Sequence, residues 1–177
     1  NILPISKNIK SILVAGEHGH DLGYQCGGWS ISWQGGSGNT TIGTTILDGI
    51  RDNIGNQSSV SFSKNGDEPN DHDIIIAVVG ETPYAEMKGD SESLELSNKD
   101  KLLLERLIKT GKPIVLILIS GRPMIITPYL EHVDAVLAAW LPGTEGSGVA
   151  DLLFGDVSPT AKLSFSWPRD MSQIPIN

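Results

Sequence analysis

The sequence predicts an α/β fold, a three-layer sandwich around a mostly parallel sheet of about six strands with one strand antiparallel. Three observations carry this expectation. Ile74 to Val79 and Pro113 to Ile119 are continuous apolar runs, the pattern of strands buried on both faces. Amphipathic helical stretches alternate with such runs, as crossover connections between parallel strands require. Leu163-Ser164-Phe165-Ser166-Trp167 instead alternates apolar and polar residues, the signature of an edge or antiparallel strand with one wet face.

Taken in order, residues 1–10 form a lead-in segment and Ser11 to Gly16 a first strand. Thr44 to Ile54 places Ile46, Leu47, Ile50 and Ile54 on one side of a helix, and Val60 to Phe62 is a short strand. Residues 63–73 are polar and glycine-containing, the segment expected to be most flexible. After the strand at Ile74 to Val79, Ser97 caps a helix with Asp100 as its partner; Leu103, Leu104, Leu107 and Ile108 recur at helical spacing and Gly111 closes it. The strand from Pro113 follows, then a short helical segment around Pro128 to His132, a strand over Val133 to Trp140 and a helix over Gly143 to Phe154. Residues 1–177 read as one α/β sandwich domain, since the length and 39% hydrophobic content suit one core.

Composition excludes several function classes. A formal charge of −8 and scattered Lys and Arg argue against nucleic acid as a partner. No apolar run reaches the length of a membrane span, and residues 1–7 lack the apolar stretch of a secretory signal. The single Cys26 permits neither an internal disulfide nor a multi-cysteine metal site and is expected to pack as a small buried residue. His18, His20 and Asp21 lack a further ligand and read as a polar turn, so no metal is expected. The glycines from Gly16 to Gly23 miss the dinucleotide fingerprint, and no phosphate-loop or nucleophile-elbow pattern occurs. No cofactor is implied. His72 and His132 fall in connecting segments without catalytic companions.

Chemistry concentrates in two loops. Val78 to Asp90 carries a buried strand into a Gly- and Pro-broken loop bearing Glu81, Glu86 and Asp90. Loops at the carboxyl ends of parallel strands are where an open α/β sheet faces its ligand. A carboxylate backed by apolar sheet there has its proton affinity raised toward that of a general acid. Glu81 is expected to orient backbone or pair with Lys88, Asp90 to brace the turn, and Arg122 to brace the same face from the next loop. The second loop, Gly23 to Gly36, sets Trp29 and Trp33 among glycines, which weaken regular structure. Aromatic faces pack on sugar rings while Gln and backbone amides bind hydroxyls, so a carbohydrate-like ligand fits.

In order along the chain, Leu22-Gly23-Tyr24-Gln25-Cys26-Gly27-Gly28-Trp29, Trp33-Gln34-Gly35, Gly43-Thr44-Thr45-Ile46-Leu47, Gly80-Glu81 with Pro83-Tyr84, Glu86 with Lys88-Gly89-Asp90, Ser120-Gly121-Arg122-Pro123 and Ala139 to Gly143 with Glu145-Gly146 resemble the second domain of glycoside hydrolase family 3. The likeness is to the β-glucosidase and β-glucan exohydrolase branch and spans nearly the whole chain. It implies a retaining exo-glycosidase working on β-glucan or β-glucoside ends, with a (β/α)8 barrel before this domain and the active site between them. The resemblance makes Glu86 the general acid/base, Trp33 the wall of the outer sugar subsite and Trp29 its support, and it places the nucleophilic Asp on the barrel. It further implies a secreted or periplasmic enzyme. Two departures stand out: Leu94-Glu95-Leu96 is followed by Ser97 where the family has proline, and the family continues past Asn177 into a Gly-rich aromatic segment, so the chain reads as cut at both ends. The alternative is a stand-alone carbohydrate-binding module in which Trp29 and Trp33 hold sugar and the acid loop only shapes the rim.

Overall fold

A computed structural model of the chain describes residues 2–176. Among the described residues the sheet has five strands, all parallel: β1 (Ser11–Ala15), β2 (Ser59–Ser63), β3 (Ile74–Gly80), β4 (Ile114–Ile119) and β5 (Ala135–Trp140), in the order β2-β1-β3-β4-β5. Helices α1 (Leu22–Cys26), α2 (Ile46–Asn53), α3 (Asn98–Ile108) and α4 (Gly146–Phe154) lie between and after the strands. β3 and β4 are buried at every residue, as their unbroken apolar runs demand.

Alternate strand residues feed two cores. Ile12, Val14, Ile76, Val78, Val115 and Ile117 pack with Ile46, Leu47 and Ile50 of α2 and with Val149, Leu153 and Phe154 of α4. On the other face Leu13, Ile75, Val79, Leu116 and Leu118 meet Leu103, Leu104 and Leu107 of α3. The expected helix positions therefore hold: Thr45 caps α2 through the Asp48 amide and Ser97 caps α3 through the Asp100 amide. The chain passes from β1 outward to β2 and then returns to β3 on the opposite side of β1. The crevice beyond the carboxyl ends of β1 and β3 is thus the topological switch point, where ligands of open α/β sheets sit.

The sixth, antiparallel strand expected at Leu163 to Trp167 is absent from the sheet among the described residues. Its alternation serves side-chain docking. Trp167 donates its indole N–H to the Met124 carbonyl at 2.7 Å and Trp140 lies against both Phe165 and Trp167, while Leu163 and Phe165 remain exposed. The backbone bends at Ser164 and Phe165, so alternation here does not produce a continuous strand, and Pro168 removes a donor where the run would continue. Other boundaries shift by small amounts. β5 begins at Ala135 rather than Val133, α4 begins at Gly146 because Gly143 takes a left-handed turn (φ 65°), and Thr127–His132 is a 3-10 turn. Residues 63–73 are fastened to α3, with the Arg106 guanidinium donating to the Asn65 carbonyl (2.6 Å) and to Asp67 (3.1 Å).

Gln25 joins three segments. It is fully buried, donates to the carbonyls of Thr44 (3.2 Å) and Gly143 (3.0 Å), and accepts the Ile46 amide at 2.9 Å. Composition alone leaves this glutamine among the possible hydroxyl binders, whereas both polar atoms of its side chain are engaged inside the fold. Gln25→Leu keeps the shape and strands the Gly143 carbonyl and the Ile46 amide away from water, while the Thr44 carbonyl keeps the Gly146 amide at 3.0 Å. It should lower the unfolding free energy by about 2–4 kcal/mol. Urea unfolding of the chain checks this, and an unchanged midpoint contradicts it.

Candidate active site

The loop leaving β3 is held at both ends by one ion pair. The Glu81 carboxylate accepts from Arg122 Nε (2.8 Å), the Tyr84 hydroxyl (3.1 Å) and the Gly121 amide (3.2 Å). Arg122 also donates to the Gly89 carbonyl at 2.8 Å, and its guanidinium carbon lies 4.7 Å from the centre of the Tyr84 ring. Both side chains are largely shielded, 13% exposed for Glu81 and 27% for Arg122. Glu81 therefore pairs with Arg122 and not with Lys88, which stands exposed. A planar guanidinium can reach a carboxylate, a carbonyl and a ring face together, which the point charge of an ammonium cannot. Burial, with the neighbouring Glu81 charge, pushes the Tyr84 hydroxyl above its usual range and keeps it a donor.

His18 fixes the same residue from below. The ring is buried, tilted at 40° against Tyr24 with centroids 4.7 Å apart, and its Nε2 donates to the Glu81 carbonyl at 3.1 Å. Burial holds the imidazole below its ordinary range, so it remains neutral at pH 7. His20 instead contacts the Thr45 hydroxyl (3.0 Å), and Asp21 caps α1 through the Tyr24 amide (2.9 Å) while also accepting from Gly38 (2.8 Å). His18, His20 and Asp21 thus have separate duties. Among the described residues no cluster of three or more His, Cys, Asp or Glu is arranged to hold a metal ion.

Glu86 follows the buried Ala85 and opens a single 3-10 turn, Glu86–Gly89. Its backbone takes φ 51°, a left-handed conformation uncommon for a residue with a side chain. The carboxylate is exposed, and Met87 beside it is 79% exposed. The apolar backing expected for a loop acid is therefore not supplied by the sheet, because the loop carries Glu86 outward past the strand ends. Asp90 ends the turn with its amide on the Met87 carbonyl (3.1 Å) and its side chain exposed, so its bracing is done by backbone.

The aromatic loop lies directly against this acid loop. Trp29 and Trp33 are 65% and 50% exposed, with ring centroids 6.3 Å apart and planes at 52°. The Trp29 amide points to the carbonyls of Ser32 and Trp33, both at 3.1 Å, closing the turn that presents the two rings. The glycines here serve close approach and not looseness: a Cβ on Gly28 would stand 2.0 Å from the Tyr84 carbonyl oxygen, and one on Gly35 would stand 2.4 Å from Pro83. Gln34 crosses the seam, its side-chain amide donating to the Ala85 carbonyl (3.3 Å) and accepting the Ala85 amide (3.1 Å). A polar cleft of about 590 Å³ opens along the acid loop, lined by Gln34, Glu81, Tyr84, Lys88, Asp90 and Arg122 among others; Trp29, Trp33 and Glu86 stand outside its lining. Cys26 is buried beneath the aromatic loop, and burial pushes its thiol up.

Of the residues singled out from the sequence, Glu81, Glu86, Lys88, Asp90 and Arg122 all lie on the loops of this face. The individual roles of His18 and Gln34 emerge only from the fold. His18 sits in a turn of mixed polarity, and nothing local announces that residue 18 reaches residue 81.

Comparison with known proteins agrees with this layout. The chain is 36% identical to a lysosomal β-glucosidase of Dictyostelium discoideum over 98% of its own length and 24% of that protein. It is 33% identical to a β-xylosidase of Formosa agariphila over 99% of its length and 27% of the relative. Among solved structures, an exo-1,3/1,4-β-glucanase from a Pseudoalteromonas species superimposes with a TM-score of 0.78 at 40% identity, over 86% of this chain and 20% of that one. The β-glucosidase from Listeria innocua, solved in complex with isofagomine, gives 0.83 at 28% identity over 99% and 25%. The chain therefore spans about a quarter of the length of these relatives. Residues 1–177 match the Glycosyl hydrolase family 3 C-terminal domain from end to end, and with a parallel sheet that superimposes on solved glucosidases of several times its length, this chain belongs to that family.

Proposed function

We propose that this chain is the acid/base-bearing domain of a retaining, exo-acting β-glucosidase or β-glucan exohydrolase. The observation that carries the reading is the placement of Glu86. It stands exposed and left-handed at the tip of a loop pinned at both ends, and Gln34 ties that loop to the loop presenting Trp29 and Trp33. A general acid must project into a space that substrate can enter, and its backbone must be fixed so that the carboxyl arrives at one point.

In this reading Glu86 donates its proton to the glycosidic oxygen as the bond to the anomeric carbon breaks, and the leaving alcohol departs neutral. The nucleophile is a carboxylate roughly 5–5.5 Å away, on a (β/α)8 barrel of the same enzyme, and it forms the covalent glycosyl intermediate. Glu86, now a carboxylate, takes a proton from water as that water attacks the anomeric carbon and frees the sugar. Trp33, with Trp29 behind it, offers an apolar wall to the sugar beyond the scissile bond, while Glu81, Arg122, Lys88 and Asp90 shape the loop. No cofactor enters any step. In this reading the enzyme is secreted or periplasmic.

The test is stereochemical. The full-length protein is mixed with an aryl β-glucoside and the first-formed glucose is followed by proton NMR. The β anomer is the expected first product. The α anomer appearing first, or no hydrolysis of β-glucosides, ends the proposal.

A further inference from the structure

Glu86 has a conformation that must be enforced. A left-handed backbone costs a residue with a Cβ about 1–2 kcal/mol, and such conformations persist only where the surroundings over-determine them. The direction of the Glu86 side chain is set by the peptide plane on its amino side and by its own φ. That plane contains the Ala85 carbonyl.

Gln34 holds the carbonyl. Its side-chain amide makes two bonds to one residue, Nε2 donating to Ala85 O at 3.3 Å and Oε1 accepting from Ala85 N–H at 3.1 Å. Ala85 is buried and extended (φ −142°, ψ 147°), so the side chain imitates a neighbouring strand and fixes the peptides on both sides of it. Only one orientation of the Gln34 amide satisfies both groups, which removes the usual ambiguity between its oxygen and nitrogen. The same residue is anchored on its own side. Trp33 precedes it with an exposed ring, and Gly35 follows in a left-handed conformation (φ 72°) pressed against Pro83.

We propose that Gln34 is a positioning residue for the acid/base, latching the aromatic loop to the acid loop so that the Trp33 wall and the Glu86 carboxyl move as one unit. The inference rests on the reading of Glu86 as the acid/base. It goes further by assigning the placement of that carboxyl to a side chain more than fifty positions earlier in the chain. With the latch gone, the 85–86 peptide can rotate, Glu86 relaxes to negative φ, and its carboxyl swings away from the glycosidic oxygen.

Leaving-group dependence separates this from general weakening of the fold. A misplaced general acid harms substrates whose leaving group needs a proton and spares those that depart unaided. Gln34→Leu, Gln34→Glu and Glu86→Gln are compared in the full-length enzyme on aryl β-glucosides with poor and good leaving groups. For Gln34→Leu, kcat/KM on the poor leaving group should fall roughly tenfold to a hundredfold, the scale of a displacement of about 1 Å, while the good leaving group loses less than about threefold. Gln34→Glu keeps the acceptor for the Ala85 amide and opposes the carbonyl, so its loss should be selective and smaller. Equal losses on both substrates, or none, with Glu86→Gln still selective, overturn the latch alone. Should Gln34→Leu not fold, Gln34→Glu decides by the same criterion. A Glu86→Gln enzyme without leaving-group selectivity overturns the underlying reading instead.

Discussion

Glu86→Gln in the full-length enzyme should lower kcat/KM about a thousandfold on β-glucosides with poor leaving groups, within the span of roughly 10²–10⁴ that a positioned acid or base supplies. The substitution keeps volume and replaces the ionisable carboxyl by a neutral amide that can neither give up nor take a proton near neutral pH. On a substrate with a very good leaving group, formation of the glycosyl intermediate should survive, because that departure needs no protonation. Its hydrolysis should become limiting, because water then attacks without a base to take its proton. Azide needs no base. It should attack the anomeric carbon of the intermediate, expel the enzyme carboxylate and restore turnover, yielding the β-glucosyl azide. Substitution at a residue that only shapes the cleft would depress both substrates alike and give no such product. An unchanged leaving-group profile, or azide without effect, removes Glu86 from the chemistry. The surrounding structure makes the substitution safe for the fold, since the carboxylate is exposed at the start of a single turn and the core lies behind Ala85.

How far the sequence alone reveals this site follows from the range of each signal. The strands at Ile74–Gly80 and Ile114–Ile119 are legible because burial on both faces demands an unbroken apolar run. The cap at Ser97 is legible because it acts within three residues, and the same three-residue cap at Thr45 goes unread. The extra strand at residues 163–167 fails because alternation of residue types fixes neither a straight backbone, which bends at Ser164 and Phe165, nor a partner edge beside it. Glu86 and Trp33 are named as candidates through ordered motifs spread over the chain. The roles of His18, Gln25 and Gln34 are not, since each depends on long-range hydrogen bonds whose other half is backbone and so leaves no residue type to match. The glycines of the aromatic loop mislead for a related reason: composition cannot distinguish a glycine that frees the chain from one that lets another backbone touch it.

Arg122→Leu should damage both the stability of the fold and the placement of the acid loop. It leaves the Glu81 carboxylate, only 13% exposed, with the Tyr84 hydroxyl and the Gly121 amide but no countercharge, and it frees the Gly89 carbonyl at the far end of the acid loop. Removing one partner of a shielded pair costs more than the pair itself contributes, because the remaining charge keeps its desolvation penalty. Since this pair is partly wet, a loss of about 2–3 kcal/mol is expected, below the fully buried range. Glu81→Gln removes the charge and keeps an acceptor, so it should cost less. The double variant should recover part of the Arg122→Leu loss, with a coupling of about 1–2 kcal/mol in a urea-unfolding cycle. Additive single losses would mean that the bridge is incidental. Activity should report the same geometry: with both ends of the 81–89 loop released, kcat in the full-length enzyme should fall about tenfold or more through displacement of Glu86, with KM changing less. A rise in KM at constant kcat would place Arg122 on the substrate instead, and would break the link between the ion pair that spans the loop and the carboxyl at its tip.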